Sequence, residues 1–84
     1  MEDFEKFLKE KLPRDSIHSG MLLSIVKNRK IKDKQRLATF LQNQEDVCRE
    51  WLATNKGPAM NSRRREYSRK LEEIKAMKEI VDKI

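Results

Sequence analysis

Between Leu37 and Asn55 the residues Leu37, Phe40, Leu41, Gln44, Cys48, Trp51, Leu52 and Asn55 keep a three-and-four rhythm with almost no slip. That rhythm gathers them on one face of an α-helix, whereas a strand, with period two, would scatter them over both faces. The same rhythm recurs elsewhere. Phe4, Phe7, Leu8 and Leu12 form a second stripe, and Tyr67, Leu71, Ile74, Met77, Val81 and Ile84 a third. Two glycines and two prolines leave little turn chemistry for a sandwich or barrel. The expectation is an all-α fold: a compact bundle of four or five helices with a long C-terminal helix, residues 1–84 making one small domain. A chain this short buries only about 60–65% of its unfolded surface, so the core is modest.

Helix ends follow from capping chemistry. The first helix should run from Glu2 to Leu12, with Glu2, Asp3 and Glu5 at its electropositive end and Pro13 stopping it. Asp15 or Ser16 can cap a second, over Ile17–Lys27. Its apolar positions Ile17, Met21, Leu22, Ile25 and Val26 wrap more than one face, which predicts the central, most buried helix. Gly20 within it then implies a closely packed neighbour. Asp33 is the expected cap of the third helix. The polar run Gln42–Asp46 is read as a break, with Asn43 capping a fourth helix; one unbroken helix over Lys34–Asn55 is the alternative. Gly57 and Pro58 mark a stop. Ser62 is the expected cap of the last helix, which meets no terminator before Ile84, so the chain is expected to be cut from a longer helix or protein. Ile74, Met77, Val81 and Ile84 also keep heptad spacing, read either as a core-facing stripe or as the seam of a homodimer.

Function classes narrow next. Cys48 and His18 are the only nucleophile–base pair, and neither has a catalytic context; Cys48 on the apolar stripe reads as a buried structural thiol. No Gly-rich phosphate loop, paired-cysteine spacing or HExxH is present, so neither enzyme nor cofactor is expected. A single cysteine rules out an internal disulfide framework and suggests a reducing, intracellular location, cytoplasm or nucleus. No apolar run approaches the roughly 20 residues a membrane span needs. Acidic residues placed three or four from lysines, such as Glu66 with Lys70 and Glu79 with Lys83, read as solvated helix pairs.

The net charge of +6 is localised. Residues 27–36 carry six basic and one acidic side chain, and residues 62–70 five and one; every other segment is slightly acidic. The arginine block Arg63, Arg64 and Arg65, placed after a cap at Ser62, would sit at the helix end where positive charge is disfavoured, which calls for an anion. Phosphate is the first choice. The expected nucleic-acid site comprises Lys27, Arg29, Lys30, Lys32, Lys34 and Arg36 together with Arg63, Arg64, Arg65, Tyr67, Arg69 and Lys70. The arginines offer bidentate phosphate contacts and Tyr67 a stacking surface. DNA or RNA backbone is the expected partner. An acidic protein partner is the alternative and an anionic membrane surface a distant third.

The segment Lys34–Pro58, KQRLATFLQNQEDVCREWLATNKGP, resembles the helix-turn-helix of phage-repressor-type DNA-binding domains. Leu37, Ala38 and Leu41 match the first helix of that motif, and Cys48, Trp51 and Pro58 the second. The resemblance implies two short helices, the second entering the major groove. The chain departs from the pattern at Gln42, where the family has a turn glycine, and at Asn43, where it has an apolar plug. The implied recognition helix carries Glu45, Asp46 and Glu50 beside the single Arg49.

Overall fold

The computed structural model describes residues 3–84, in which four α-helices form a bundle: α1 (Phe4–Lys11), α2 (Ile17–Arg29), α3 (Lys34–Thr54) and α4 (Asn61–Lys83), with a 3-10 turn over Pro58–Met60. Among the described residues there is no strand. The all-α bundle with a long last helix is therefore the fold. The expected start at Glu2 lies outside the described residues; within them Asp3 caps α1, its carboxylate accepting from the Glu5 N–H at 3.1 Å. Leu12 is extended (ψ 146°), as the residue before a proline prefers, and α1 stops there.

Two caps follow the sequence reading. The Ser16 hydroxyl accepts from the Ser19 N–H, and the Asp33 carboxylate accepts from the Arg36 N–H at 2.8 Å. Two do not. Asn55, not Gly57, ends α3, its backbone N–H and its side-chain amide both donating to the Trp51 carbonyl. Gly57 has φ −69°, ordinary for any residue. Ser62 is not a cap either, because the 3-10 turn runs directly into α4 and Met60 precedes its first residue.

The break expected within Gln42–Asp46 is absent: α3 is one helix of 21 residues. Gln and Glu are good helix formers, and the polar run is satisfied from outside by α4, as described below. Gln42 and Asn43 therefore make no turn, and residues 34–54 do not form the two-helix unit that the repressor resemblance implies.

α3 and α4 lie antiparallel along their lengths, α2 packs on α4, and α1 on α2. The core joins Leu8, Leu12, Leu22, Val26, Leu37, Leu41, Cys48, Ile74, Met77 and Val81. Cys48 is a buried free thiol. The α4 stripe is a core face, since Ile74, Met77 and Val81 are buried within the chain. α2 stands between α1 and the hairpin and, with Ser19, Leu22 and Val26 buried among its 13 residues, has the largest buried share of the four helices, although its apolar positions are not all interior. Leu22 and Val26 are interior, Met21 and Ile25 half-buried, and Ile17 is 80% exposed.

Gly20 has no close neighbour: a Cβ built there meets nothing within 4 Å, and its φ is negative. Gly20→Ala should therefore stabilise the fold, by roughly 0.5–1 kcal/mol, by removing backbone freedom from the unfolded chain. A rise in the urea midpoint with unchanged slope is the expected readout, and a fall would mean an unrecognised packing demand.

Candidate nucleic-acid interface

The hairpin register decides how the two basic segments are arranged. Lys78 reaches Gln42 and Glu45, Tyr67 stacks on Trp51, and Arg64 reaches Leu52 and Asn55. Arg63–Arg65 thus lie level with the C-terminal end of α3, Arg64 in contact with it, while Lys34 and Arg36 begin its opposite end. From Arg36 to Thr54 a helix rises roughly 27 Å. Arg29 from the first segment and Lys70 from the second come to the same groove. It measures about 380 Å³ and lies between α2, α3 and α4, and its floor includes Phe40, Leu41, Cys48, Ile74 and Met77.

Several expected site residues have internal partners. Arg64 donates to the carbonyls of Leu52 (2.6 Å) and Asn55 (2.7 Å). Those oxygens belong to the last turn and cap of α3, where carbonyls lack intrahelical donors and the helix is electronegative. Arg64 is therefore a tertiary cap, and the negative partner sought for the arginine block is, for this residue, the backbone of α3. Tyr67 stacks on Trp51 with ring centroids 4.2 Å apart and planes 6° from parallel, so one ring face is covered by protein. Lys70 lies over the Tyr67 ring at 5.4 Å and Arg29 over Phe40 at 5.2 Å. Arg36 pairs with Asp33 at 3.5 Å, an ion pair whose two side chains are largely solvated.

Lys27, Lys30, Lys32, Lys34, Arg63, Arg65 and Arg69 remain. All are exposed, and among the described residues none pairs with a carboxylate. The expected Glu66–Lys70 and Glu79–Lys83 pairs are not formed; among the described residues Lys9–Glu5 and Arg49–Glu45 are the i,i+4 ion pairs. Lys30 has left-handed backbone, φ 54° and ψ 44°, at the C-cap of α2. That is a glycine's conformation, and a side chain there costs about 1 kcal/mol.

The sequence does not reveal Glu45, the one buried charge among the described residues. The repressor resemblance implies an exposed Glu45 on a recognition helix, whereas the side chain is 9% exposed. Lys78 donates to its Oε1 at 2.8 Å and to Gln42 Oε1 at 2.6 Å, and Arg49 donates to its Oε2 at 2.7 Å. The Lys78 hydrogen bond first, then that of Arg49, holds the carboxyl below its ordinary value despite the opposing effect of burial. A group depressed on folding stabilises above its unfolded pKa and loses that contribution as pH falls through the folded one. Glu45→Gln should therefore lower the thermal midpoint at neutral pH, and the gap to wild type should close below pH ~4, the ordinary carboxylate range. A gap independent of pH would show that packing, not charge, holds Glu45. The one hint in the sequence was position: Glu45 falls four residues after Leu41 and four before Arg49.

Among the described residues no three His, Cys, Asp or Glu side chains gather to hold a metal, and no helix is long and apolar enough to cross a membrane. Compared with known proteins, the chain matches no family model, no curated protein and no solved structure.

Proposed function

We propose that this chain is a non-catalytic nucleic-acid-binding module that holds the phosphate backbone through two separate cationic surfaces, in an intracellular setting. The observation that carries this reading is the turn between α2 and α3. With the helix ends beside it, it presents Lys27, Lys30, Lys32 and Lys34, none paired with a carboxylate among the described residues, and keeps Lys30 in a backbone conformation that glycine would adopt at lower cost. Unpaired cations held at some expense in stability suit an external polyanion, and phosphate contacts position a strand without reading its sequence. Arg65 and Arg69, one turn apart on α4, form the second surface, with Arg63 on the neighbouring face; Arg64 is excluded, being engaged with α3.

The four-fold variant Lys27→Gln/Lys30→Gln/Lys32→Gln/Lys34→Gln tests it by fluorescence anisotropy on labelled strands. Affinity should fall at least tenfold at about 100 mM salt, and on duplex DNA each lost phosphate contact should remove ~0.9 from the log–log salt slope. Unchanged affinity and slope would defeat the reading.

A second reading rests on the α2–α3–α4 groove. Half-buried Met21, Ile25 and Phe40 with Arg29 and Lys70 at its rim suit an acidic amphipathic partner helix. Tight capture of acidic peptides with no affinity for nucleic acid would favour it.

A further inference from the structure

The end of the hairpin carries a feature that phosphate binding alone leaves unused. Trp51 is half-buried and has Tyr67 stacked on one side. Beside it lies a depression of about 280 Å³ lined by Val47, Glu50, Trp51, Thr54 and Asn55. Tyr67 is not among the lining residues, so the depression opens from the part of the indole that Tyr67 leaves uncovered. Val47 at its edge is 57% exposed and adds apolar surface to the depression. The wall is already rigid: Asn55 is fixed to the Trp51 carbonyl, Thr54 to the Glu50 carbonyl, and Arg64 ties α4 to Asn55.

Two cations share the α4 face that carries Tyr67, one turn to either side of it. On α4 the residues Arg63, Tyr67 and Lys70 stand at i, i+4 and i+7, which is one helix face. Both cations are exposed, and Arg63 has no carboxylate partner among the described residues. An aromatic ring beside an open depression, with cations on the helix face that carries its stacking partner, combines the two elements by which proteins hold unpaired strands: base stacking and backbone attraction. A duplex hides its base faces inside the stack and could use only the cations.

We propose that Trp51 is a stacking platform for one base of a single strand, with Arg63 and Lys70 taking the neighbouring phosphates. This deepens the nucleic-acid reading above and rests on it. Glu50 fixes the orientation. Its carboxylate repels phosphate, so the backbone runs on the α4 side, and it can accept from an amino group on the base edge. Cytosine, whose N4 donates, is therefore favoured over thymine or uracil, which present a carbonyl at that position.

Trp51 is the only tryptophan in the chain, so its emission reports the site directly. Three probes of equal length separate the contributions: a single-stranded oligodeoxycytidylate, an abasic strand with the same phosphates, and a duplex. The oligodeoxycytidylate should quench Trp51 emission and bind about tenfold more tightly than the abasic strand, the magnitude of one base–aromatic stack. Trp51→Phe, read by anisotropy, should retain most of that preference and Trp51→Leu should lose it. Arg65→Gln/Arg69→Gln should weaken all three probes alike. Should Trp51→Leu fail to fold, the quenching and the abasic comparison on the wild-type chain still decide. Equal affinity for abasic and base-bearing strands without quenching would overturn the platform while leaving the phosphate-binding reading intact. Absence of binding to all three probes would overturn both. Polyglutamate of matched charge binding as tightly as the oligodeoxycytidylate would also overturn it, in favour of an acidic protein partner.

Discussion

Arg64→Gln should lower stability by about 2–3 kcal/mol, whereas Arg63→Gln, which removes the same charge one residue away, should change it by less than ~0.5 kcal/mol. The difference arises from the partners. Arg64 donates at 2.6 and 2.7 Å to two carbonyls at the end of α3, while Arg63 is exposed and has no carboxylate partner among the described residues. Hydrogen bonds from a charged donor contribute about 1.5–3 kcal/mol each in favourable cases, and glutamine is too short to reach both oxygens. Urea unfolding of the two variants side by side reads the effect. A small domain of this kind has only ~3–5 kcal/mol in hand, so the Arg64 variant should be partly unfolded at 37 °C. Equal midpoints for the two variants would mean that solvent can replace Arg64 at the α3 terminus. The arginine block is thus two things: one structural cap and two exposed neighbours. Neutralising all three together would confuse a folding defect with a binding defect.

The second large effect is expected at Leu41. It is fully buried at the middle of α3, in the cluster with Leu37, Cys48, Ile74 and Met77. Leu41→Ala deletes three carbons from that site and should cost about 2–5 kcal/mol, the transfer term plus the cavity left behind. In a domain with so little reserve this should abolish cooperative unfolding. Val47→Ala, also on α3 but 57% exposed, should be near neutral. Circular dichroism melts of the two variants provide the comparison. A cooperative melt for Leu41→Ala near the wild-type midpoint would show that the core can collapse around the gap.

Local rules carried most of the fold. The apolar rhythm placed four helices, Pro13 stopped the first, Asp33 capped the third, and the α4 stripe faced the core. What stayed hidden was long-range. Nothing within Gln42–Asp46 shows that Lys78, 33 residues beyond Glu45, closes a network over it and keeps α3 unbroken. Nothing beside Arg64 shows that its partners are carbonyls of another helix. Ile17 fitted the α2 pattern yet is exposed, because it lies at the very start of that helix and the core begins a turn later, at Ser19 and Leu22. The candidate site was legible as charge and illegible as geometry. The two basic segments were evident, but their separation along the hairpin, and the Trp51–Tyr67 stack between α3 and α4, depend on the register of helices distant in sequence.

The most direct test of the central claim is a salt titration of the intact chain against single-stranded DNA, duplex DNA, RNA and anionic lipid vesicles. Binding to nucleic acid should be detectable at low ionic strength, and log affinity should fall linearly with log salt, with a slope of roughly −3 to −6 for the four to seven unpaired cations. Vesicle binding should be weaker than nucleic-acid binding at every salt concentration. No nucleic-acid binding at low salt, or an affinity indifferent to salt, would contradict the account.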